Sequence, residues 1–471
     1  MAMTEHVVPR MGGVAVRAAA RGITEPRWMV PLYFVLLALP PEIMFDVFGG
    51  ALSPARVLEL VMLPVAVMKL AGDPTFRWRS FDFLAVFYAL WLWLAFTINY
   101  EPSKSVALGG SLTAEALGSY FIARAYVRTM EDFKRVVVAY FTTVVVVGAI
   151  AVLECLSGFY FAHEIASKIM GVPLPEYVEV SYGPATRRLG FIRPFSTFDH
   201  PILYGSFCAA AAGLVYYAYK GDASRTMRLL IIAGAVFFSL SSGPYLGLLL
   251  AIAFCGWEIV TRPLPHRVLI SAGVVLALLG VISLVSSRSI IEILIASTLE
   301  PASGYYRLFI WQYGSAAVMS SPIFGIAINT WQKASFMSTS VDNFWLLMTM
   351  QGGIPAIAAL LLSQAMLIRG AHKGGRGPVS PQVWAARFGW TSTLLVLSAQ
   401  ALTVHYWGQM YMFLFFVMGM GGWLSDRLPQ AAPAAPTEEA GTQRWFTHRT
   451  VQARPRLSER RAGTLSGAGT P

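Results

Sequence analysis

Charge is what this sequence has least of. Asp, Glu, Lys and Arg make up 13% of its 471 residues against 56% hydrophobic ones, and the mean hydropathy is +0.57. That balance excludes a soluble domain of this length, which needs a charged surface to stay dispersed in water. Cysteine is scarce as well. Cys155, Cys208 and Cys255 fall in or beside apolar runs without metal-ligand spacing, so they read as small buried apolar side chains and not as a disulfide framework. There is no Walker loop, dinucleotide fingerprint, metalloprotease helix, zinc spacing or fixed-period repeat, which disfavours ATP-driven transport and metal hydrolysis. The first apolar run is long and lacks a small-x-small cleavage site, so it reads as a retained helix.

Long apolar runs are abundant. A membrane-crossing helix needs roughly 20 mostly apolar residues, and about twelve such runs are found. They lie near Trp28–Phe48, Leu52–Leu70, Phe81–Ile98, Val106–Val127, Val136–Leu156, Pro201–Tyr219, Leu229–Leu240, Tyr245–Val260, Val268–Val285, Phe344–Ile368, Val383–Thr403 and Tyr406–Leu424. The seventh and eighth, parted only by Ser241 to Pro244, fit either a tight hairpin or one broken helix.

With the N-terminus placed in the cytoplasm, alternate short links collect Arg and Lys, as inside loops do. Examples are Arg77 and Arg79, Arg124 to Arg135, Lys220 to Arg228, and Arg369 to Arg387. The net charge of +11 is then topological and gives no sign of nucleic-acid binding. The expected organisation is all-α and polytopic. Residues 1–27 form a cytoplasmic segment, 28–424 a membrane domain with outer loops at 157–200 and 286–343, and 425–471 an Ala, Pro, Gly and Arg-rich disordered cytoplasmic tail.

The outer loops carry the candidate chemistry. The first ends in Arg193-Pro-Phe-Ser-Thr-Phe-Asp-His-Pro, which brings Arg193, Asp199 and His200 to the start of the sixth helix. An interfacial ion pair explains them equally well. In the second loop, Leu308, Trp311, Ala316 and Met319 recur at helical spacing and predict an amphipathic surface helix opened by Arg307. There a single guanidinium can simply anchor a helix to lipid phosphate. Two arginines at one face can also grip a diphosphate through bidentate hydrogen bonds. Asp342 opens the tenth helix, where it fits an N-cap. As proton acceptors from a sugar hydroxyl, Asp342, Asp199, His200 and His405 are all eligible. Inside the membrane, Arg56 and Glu59 share a helix face and are expected to pair, and Glu115 and Glu154 are expected to be paired too.

Arg193 to Pro201 with Gly205, Ser239 to Gly243, Arg307 through Gly325, and Asp342 through Gly353, in that order and topological placement, resemble the O-antigen ligase and O-antigen polymerase superfamily of membrane glycosyltransferases. The resemblance implies a GT-C-like helical fold, about 12 transmembrane helices with a large periplasmic loop between the ninth and tenth, and residence in the bacterial inner membrane. It also implies undecaprenyl-diphosphate-linked glycan as substrate, with no metal or other cofactor. Membrane lipid surrounds the chain, and a chain-length regulator and other polysaccharide-assembly proteins are its implied partners.

By position, Arg193 and Arg307 match the family's diphosphate-binding arginines. Asp342 and Asn343 stand where ligases commonly carry a His, a departure that favours a polymerase of O-antigen or exopolysaccharide over a ligase. On this reading Asp342 orients or deprotonates the acceptor, with His200 or His405 as the reserve base. Tyr306 and Trp311 offer rings for sugar stacking or a lipid groove, and Asn343 adds a polar contact. A ligase of the same superfamily and a lipid-linked oligosaccharide flippase are the alternatives.

Overall fold

A computed structural model of the protein describes residues 26–47, 50–267, 269–271, 273–274, 276–277, 301–328, 331–338, 340–373 and 380–425. The expected ninth run, the first part of the second outer loop, the N-terminal segment and the tail lie outside these residues, wholly or in large part.

The first expected run is not one helix. Helix α1 covers Met29–Leu37 and ends before Pro40 and Pro41, whose rings and missing N–H groups cannot continue it. A two-stranded hairpin follows, β1 (Phe45–Val47) against β2 (Gly50–Leu52), in antiparallel register with Phe45 opposite Leu52. Next come α2 (Pro54–Gly72), started by Ser53, whose side chain accepts from the Arg56 N–H, and α3 (Ser80–Asn99). Helix α4 (Pro102–Tyr126) leads into α5 (Met130–Ser157), capped reciprocally by Thr129 and Asp132 in the Ser/Thr-x-x-acid pattern.

Short α6 (Phe161–Met170) and α7 (Glu176–Ser181) occupy the first long loop. Beyond it lie α8 (Pro201–Ala218), α9 (Arg225–Phe237) and α10 (Ser242–Thr261). The linker between α9 and α10 makes a true turn, with Leu240 at φ 46, which resolves the hairpin alternative in favour of two helices. Then follow α11 (Pro301–Ser320), α12 (Phe344–Lys373), α13 (Pro381–Gln400) and α14 (Gln409–Met420).

Among the described residues, α3, α4, α5, α8, α10 and α12 are long and apolar enough to cross a membrane. Their outward flanks carry exposed Leu90, Leu94, Leu153, Leu156 and Ile252, a surface that only lipid solvates favourably. Helix α8 is the axis of the bundle. It is buried along nearly its whole length and packs on α13, α10, α9 and α5, while α3 pairs with α12 and α4 with α14.

Lipid gives apolar side chains little reason to prefer each other, so packing and polar contacts hold such bundles together. Arg124 and Asp82 form a fully buried pair at 2.9 Å, and the Tyr120 hydroxyl donates to the same carboxylate. The carboxylates expected to pair in other ways are placed as follows. Arg56 bonds Glu115 at 2.6 Å, Glu59 accepts the Ser119 hydroxyl, and Glu154 accepts the Ser196 N–H at 2.8 Å. Spacing along one helix favoured Arg56 with Glu59, but the facing helix α4 supplies the closer partner.

Helix α11 spans the predicted 305–319 and leaves Trp311 and Met319 of the predicted stripe outward, as a surface helix does. Ile310, Ala317 and Val318 are buried against Leu346 and Met350 of α12, whereas Trp311 and Met319 are exposed. A broad apolar helix of this kind can present either flank, and docking on α12 decided which one.

Candidate functional site

The basic residues Lys69, Arg128, Lys134, Lys220, Arg225 and Arg262 sit at helix ends that the alternation of α2, α5, α8, α9 and α10 brings to one end of the bundle. The loops carrying the candidate residues meet at the other end. Residues 193–200 are fixed there almost one by one. Arg193 donates from Nη2 to Ser241 at 3.3 Å. Ser196, at φ 55, donates its N–H to Glu154 and its hydroxyl to the Val147 carbonyl at 2.8 Å. Gln409 bridges the Thr197 and Leu39 carbonyls at 2.8 Å each. His163 meets the Phe198 carbonyl at 3.2 Å, and Asp199 accepts from the Tyr177 hydroxyl at 3.2 Å. A left-handed non-glycine residue costs roughly 1–3 kcal/mol and persists only where its surroundings over-determine it. This turn is held in that way.

His200 caps α8, its Nδ1 accepting the Ile202 N–H at 3.2 Å. That bond leaves Nε2 to carry the proton, so the ring faces its other neighbours as a donor. Burial, with Arg193 and Arg188 nearby, holds its pKa at about 3, and burial holds that of His405 at about 4. Both imidazoles are therefore neutral at neutral pH.

Because the folded value lies below the free value of 6.5, the unfolded chain takes up the proton first. Stability is therefore complete above pH 6.5 and is lost as the pH falls toward 3. His200→Asn keeps a residue able to cap and removes one titrating group. Thermal inactivation in detergent should therefore accelerate less on going from pH 7 to 4 in the variant than in the wild type. Identical acid sensitivity would show that His200 is not buried neutral.

Asn343, not Asp342, caps α12. Its Oδ1 accepts the Leu346 N–H at 2.9 Å and its Nδ2 donates to the Leu402 carbonyl at 2.7 Å. Asn343 is thus buried and occupied by the fold. Asp342, half-buried, keeps a carboxylate engaged by the Ser340 hydroxyl at 3.0 Å. Asn343→Ala should cost about 1–2 kcal/mol of stability through the lost cap, and Asp342→Ala should cost less than about 0.5 kcal/mol. Melting both variants in one detergent tests the assignment.

The loop at 401–408 joins the two arginines. The Phe344 N–H donates to the Ala401 and Val404 carbonyls at 2.9 and 3.1 Å. Arg307 donates from Nε to the Thr403 carbonyl at 3.3 Å. Ser241, which receives Arg193, directly precedes α10, whose Gly243 lies close to Val404 of this same loop. Arg193 and Arg307 are therefore anchored on adjoining parts of one surface at one end of the bundle. Arg188 joins them through the Leu240 carbonyl at 3.3 Å. Tyr306 is engaged by Ser338, whose N–H donates to its hydroxyl at 2.8 Å, and Trp311 stands 44% exposed on α11.

Two motifs that stood apart in sequence bind each other. Helix α12 breaks at Gly353, φ 74 and ψ 179, and the segment Ser321-Pro-Ile-Phe-Gly-Ile enters the break. The Ile326 N–H donates to the Met350 carbonyl at 2.7 Å, and the Ile354 N–H to the Pro322 carbonyl at 2.8 Å. The Trp91 indole donates to the Gly352 carbonyl at 3.1 Å, and its ring stacks on Phe324 at 5.3 Å. This lock holds the broken middle of α12 against the 321–326 segment and Trp91 of α3.

Sequence reasoning missed Tyr177, His163, Glu42, Trp407 and Gln409. His163 and Glu42 bond at 2.6 Å across 121 positions, a separation at which spacing carries no signal. Trp407 reads as a helix residue within an apolar run.

Residues 228–361 match the family described as O-antigen ligase. The match covers α9 to the middle of α12, with Arg307, Asp342 and the 321–326 lock inside it and Arg193 outside. It supports a place for this chain in the O-antigen ligase superfamily, whose members are membrane glycosyltransferase-like enzymes. No curated protein matches the chain.

Proposed function

Starting from the O-antigen ligase superfamily, we propose that this membrane protein is a polysaccharide polymerase. The growing glycan on undecaprenyl diphosphate is the donor, and a hydroxyl of the next lipid-linked repeat unit attacks its anomeric carbon. One glycosidic C–O bond forms as the bond to the diphosphate breaks, and the hydroxyl proton passes to a carboxylate. Arg193 and Arg307 hold the diphosphate. Fixed guanidinium groups in a low-dielectric site stabilise charge as it develops on the leaving oxygen, without reorganising at the moment of reaction. Asp342 receives the proton, since Asn343 relieves it of capping.

The observation that carries this reading is the anchoring of both arginines, from different loops, on adjoining parts of the 401–404 and 241–243 surface. The aspartate at the start of α12 favours a polymerase over a ligase. The site end lies opposite the basic helix ends, which favours a reaction on the periplasmic side of an inner membrane with both termini in the cytoplasm.

Deleting the gene and sizing the lipid-linked saccharides tests it. A polymerase defect leaves single repeat units on lipid at the outer face. Long polymer on lipid would make the protein a ligase, and units trapped inside would make it a flippase.

A further inference from the structure

Next to the Arg193 segment, one polar cluster has no part in holding a diphosphate. His163 is wholly buried, with Nδ1 at 2.6 Å from Glu42 and Nε2 at 3.2 Å from the Phe198 carbonyl. A carbonyl oxygen only accepts, so Nε2 carries a hydrogen and Nδ1 faces the Glu42 carboxyl group. The second Glu42 oxygen is buried and meets no donor among the described residues. This buried pair acts locally by gripping the backbone immediately before Asp199.

Asp199 accepts from the Tyr177 hydroxyl at 3.2 Å, and a β-carbon at Gly408, next to Trp407, would stand 3.6 Å from its second oxygen. A carboxylate has about four lone-pair sites, so the Tyr177 hydroxyl orients it without exhausting it. The Trp407 ring lies 5.2 Å from the His405 ring and 6.4 Å from that of His200. Asp199, His405 and Trp407 are half-buried, and Tyr177 is 38% exposed. An oriented carboxylate beside a partly exposed indole is the pairing that recognises a sugar: ring hydroxyls donate to the carboxylate, and the apolar C–H face packs on the aromatic ring.

We propose that Tyr177, Asp199, His405 and Trp407 form a saccharide subsite that takes a pyranose ring of the lipid-linked glycan, with the Glu42–His163 pair as its positioning residues. This rests on the glycosyl-transfer reading and adds to it the part of the substrate that the arginines do not contact.

The test measures binding to the full chain in nanodiscs with two probes: undecaprenyl diphosphate, which lacks sugar, and the lipid-linked repeat unit isolated from cells lacking this protein. Asp199→Asn should weaken the repeat unit about 10-fold or more, as expected for a hydrogen bond to a charged group, and leave undecaprenyl diphosphate unchanged. Retained binding of the sugarless lipid serves as the folding control. Tyr177→Phe should give the same selectivity with a smaller loss, and it decides the matter if Asp199→Asn binds neither probe. Arg193→Ala should weaken both probes. Equal loss of both probes in Tyr177→Phe, or no loss of the repeat unit in either variant, overturns the subsite. Undiminished binding of undecaprenyl diphosphate to the arginine variants overturns only the diphosphate reading.

Discussion

Alanine in place of Arg193 or Arg307 is expected to lower the transfer rate at least about 100-fold, because removing one preorganised donor from developing charge costs roughly 3 kcal/mol. The guanidinium groups bond to Ser241 and to the Thr403 carbonyl, on surfaces that stay in place when either side chain is truncated, so the loss should appear in rate and not in expression. Lysine keeps the charge but not the planar fork, so Arg193→Lys and Arg307→Lys should recover only part of the activity. The readout is the length distribution of lipid-linked saccharide. Chains of unchanged length in both alanine variants would show that the diphosphate sits elsewhere.

Gly353→Ala is expected to be the most damaging substitution of a small residue, costing about 3 kcal/mol or more. At φ 74 a β-carbon is strained whatever the space, and here it would stand 2.1 Å from the Ile323 carbonyl oxygen. Backbone cannot yield as a flexible side chain does, so the 321–326 segment must leave the break in α12. Gly325→Ala should act in the same direction, since its β-carbon would meet the Met350 carbonyl at 2.4 Å with φ 64. Gly256→Ala on α10 meets nothing within 4 Å and should be neutral or slightly stabilising, because alanine is the better helix former. Thermal inactivation half-lives of the three variants test the ranking. Equal half-lives for Gly353→Ala and Gly256→Ala would mean that the break in α12 is not locked by 321–326. Because α12 presents Asp342, activity should fall along with stability in the first two variants alone.

Much of the helical plan was legible, for a reason specific to lipid. A crossing helix must satisfy its own backbone and be apolar over a set length, so the runs at Phe81–Ile98, Val136–Leu156 and Pro201–Tyr219 reappear in α3, α5 and α8 within a few residues. The run at Trp28–Phe48 misled because hydropathy averages over Pro40 and Pro41, which stop a helix without making a segment polar. The motifs around Arg193, Arg307, Asp342 and Gly353 stood out by their polar or glycine character against apolar surroundings. Their partners did not: which residue caps α12 turned on a one-position choice between Asp342 and Asn343, and Glu42 reaches His163 only because α1 ends early.

Local composition and run length were enough to establish that this chain lives in a membrane, roughly where its helices run, and which loops gather the arginines. It took the folded chain to show that 321–326 fills the break in α12, that the 401–408 loop lies between the anchors of Arg193 and Arg307, and that a buried Glu–His pair grips the backbone just before Asp199. Each of these depends on a contact between segments far apart in the chain, where the energy of one hydrogen bond or one excluded β-carbon selects among arrangements that composition leaves equivalent.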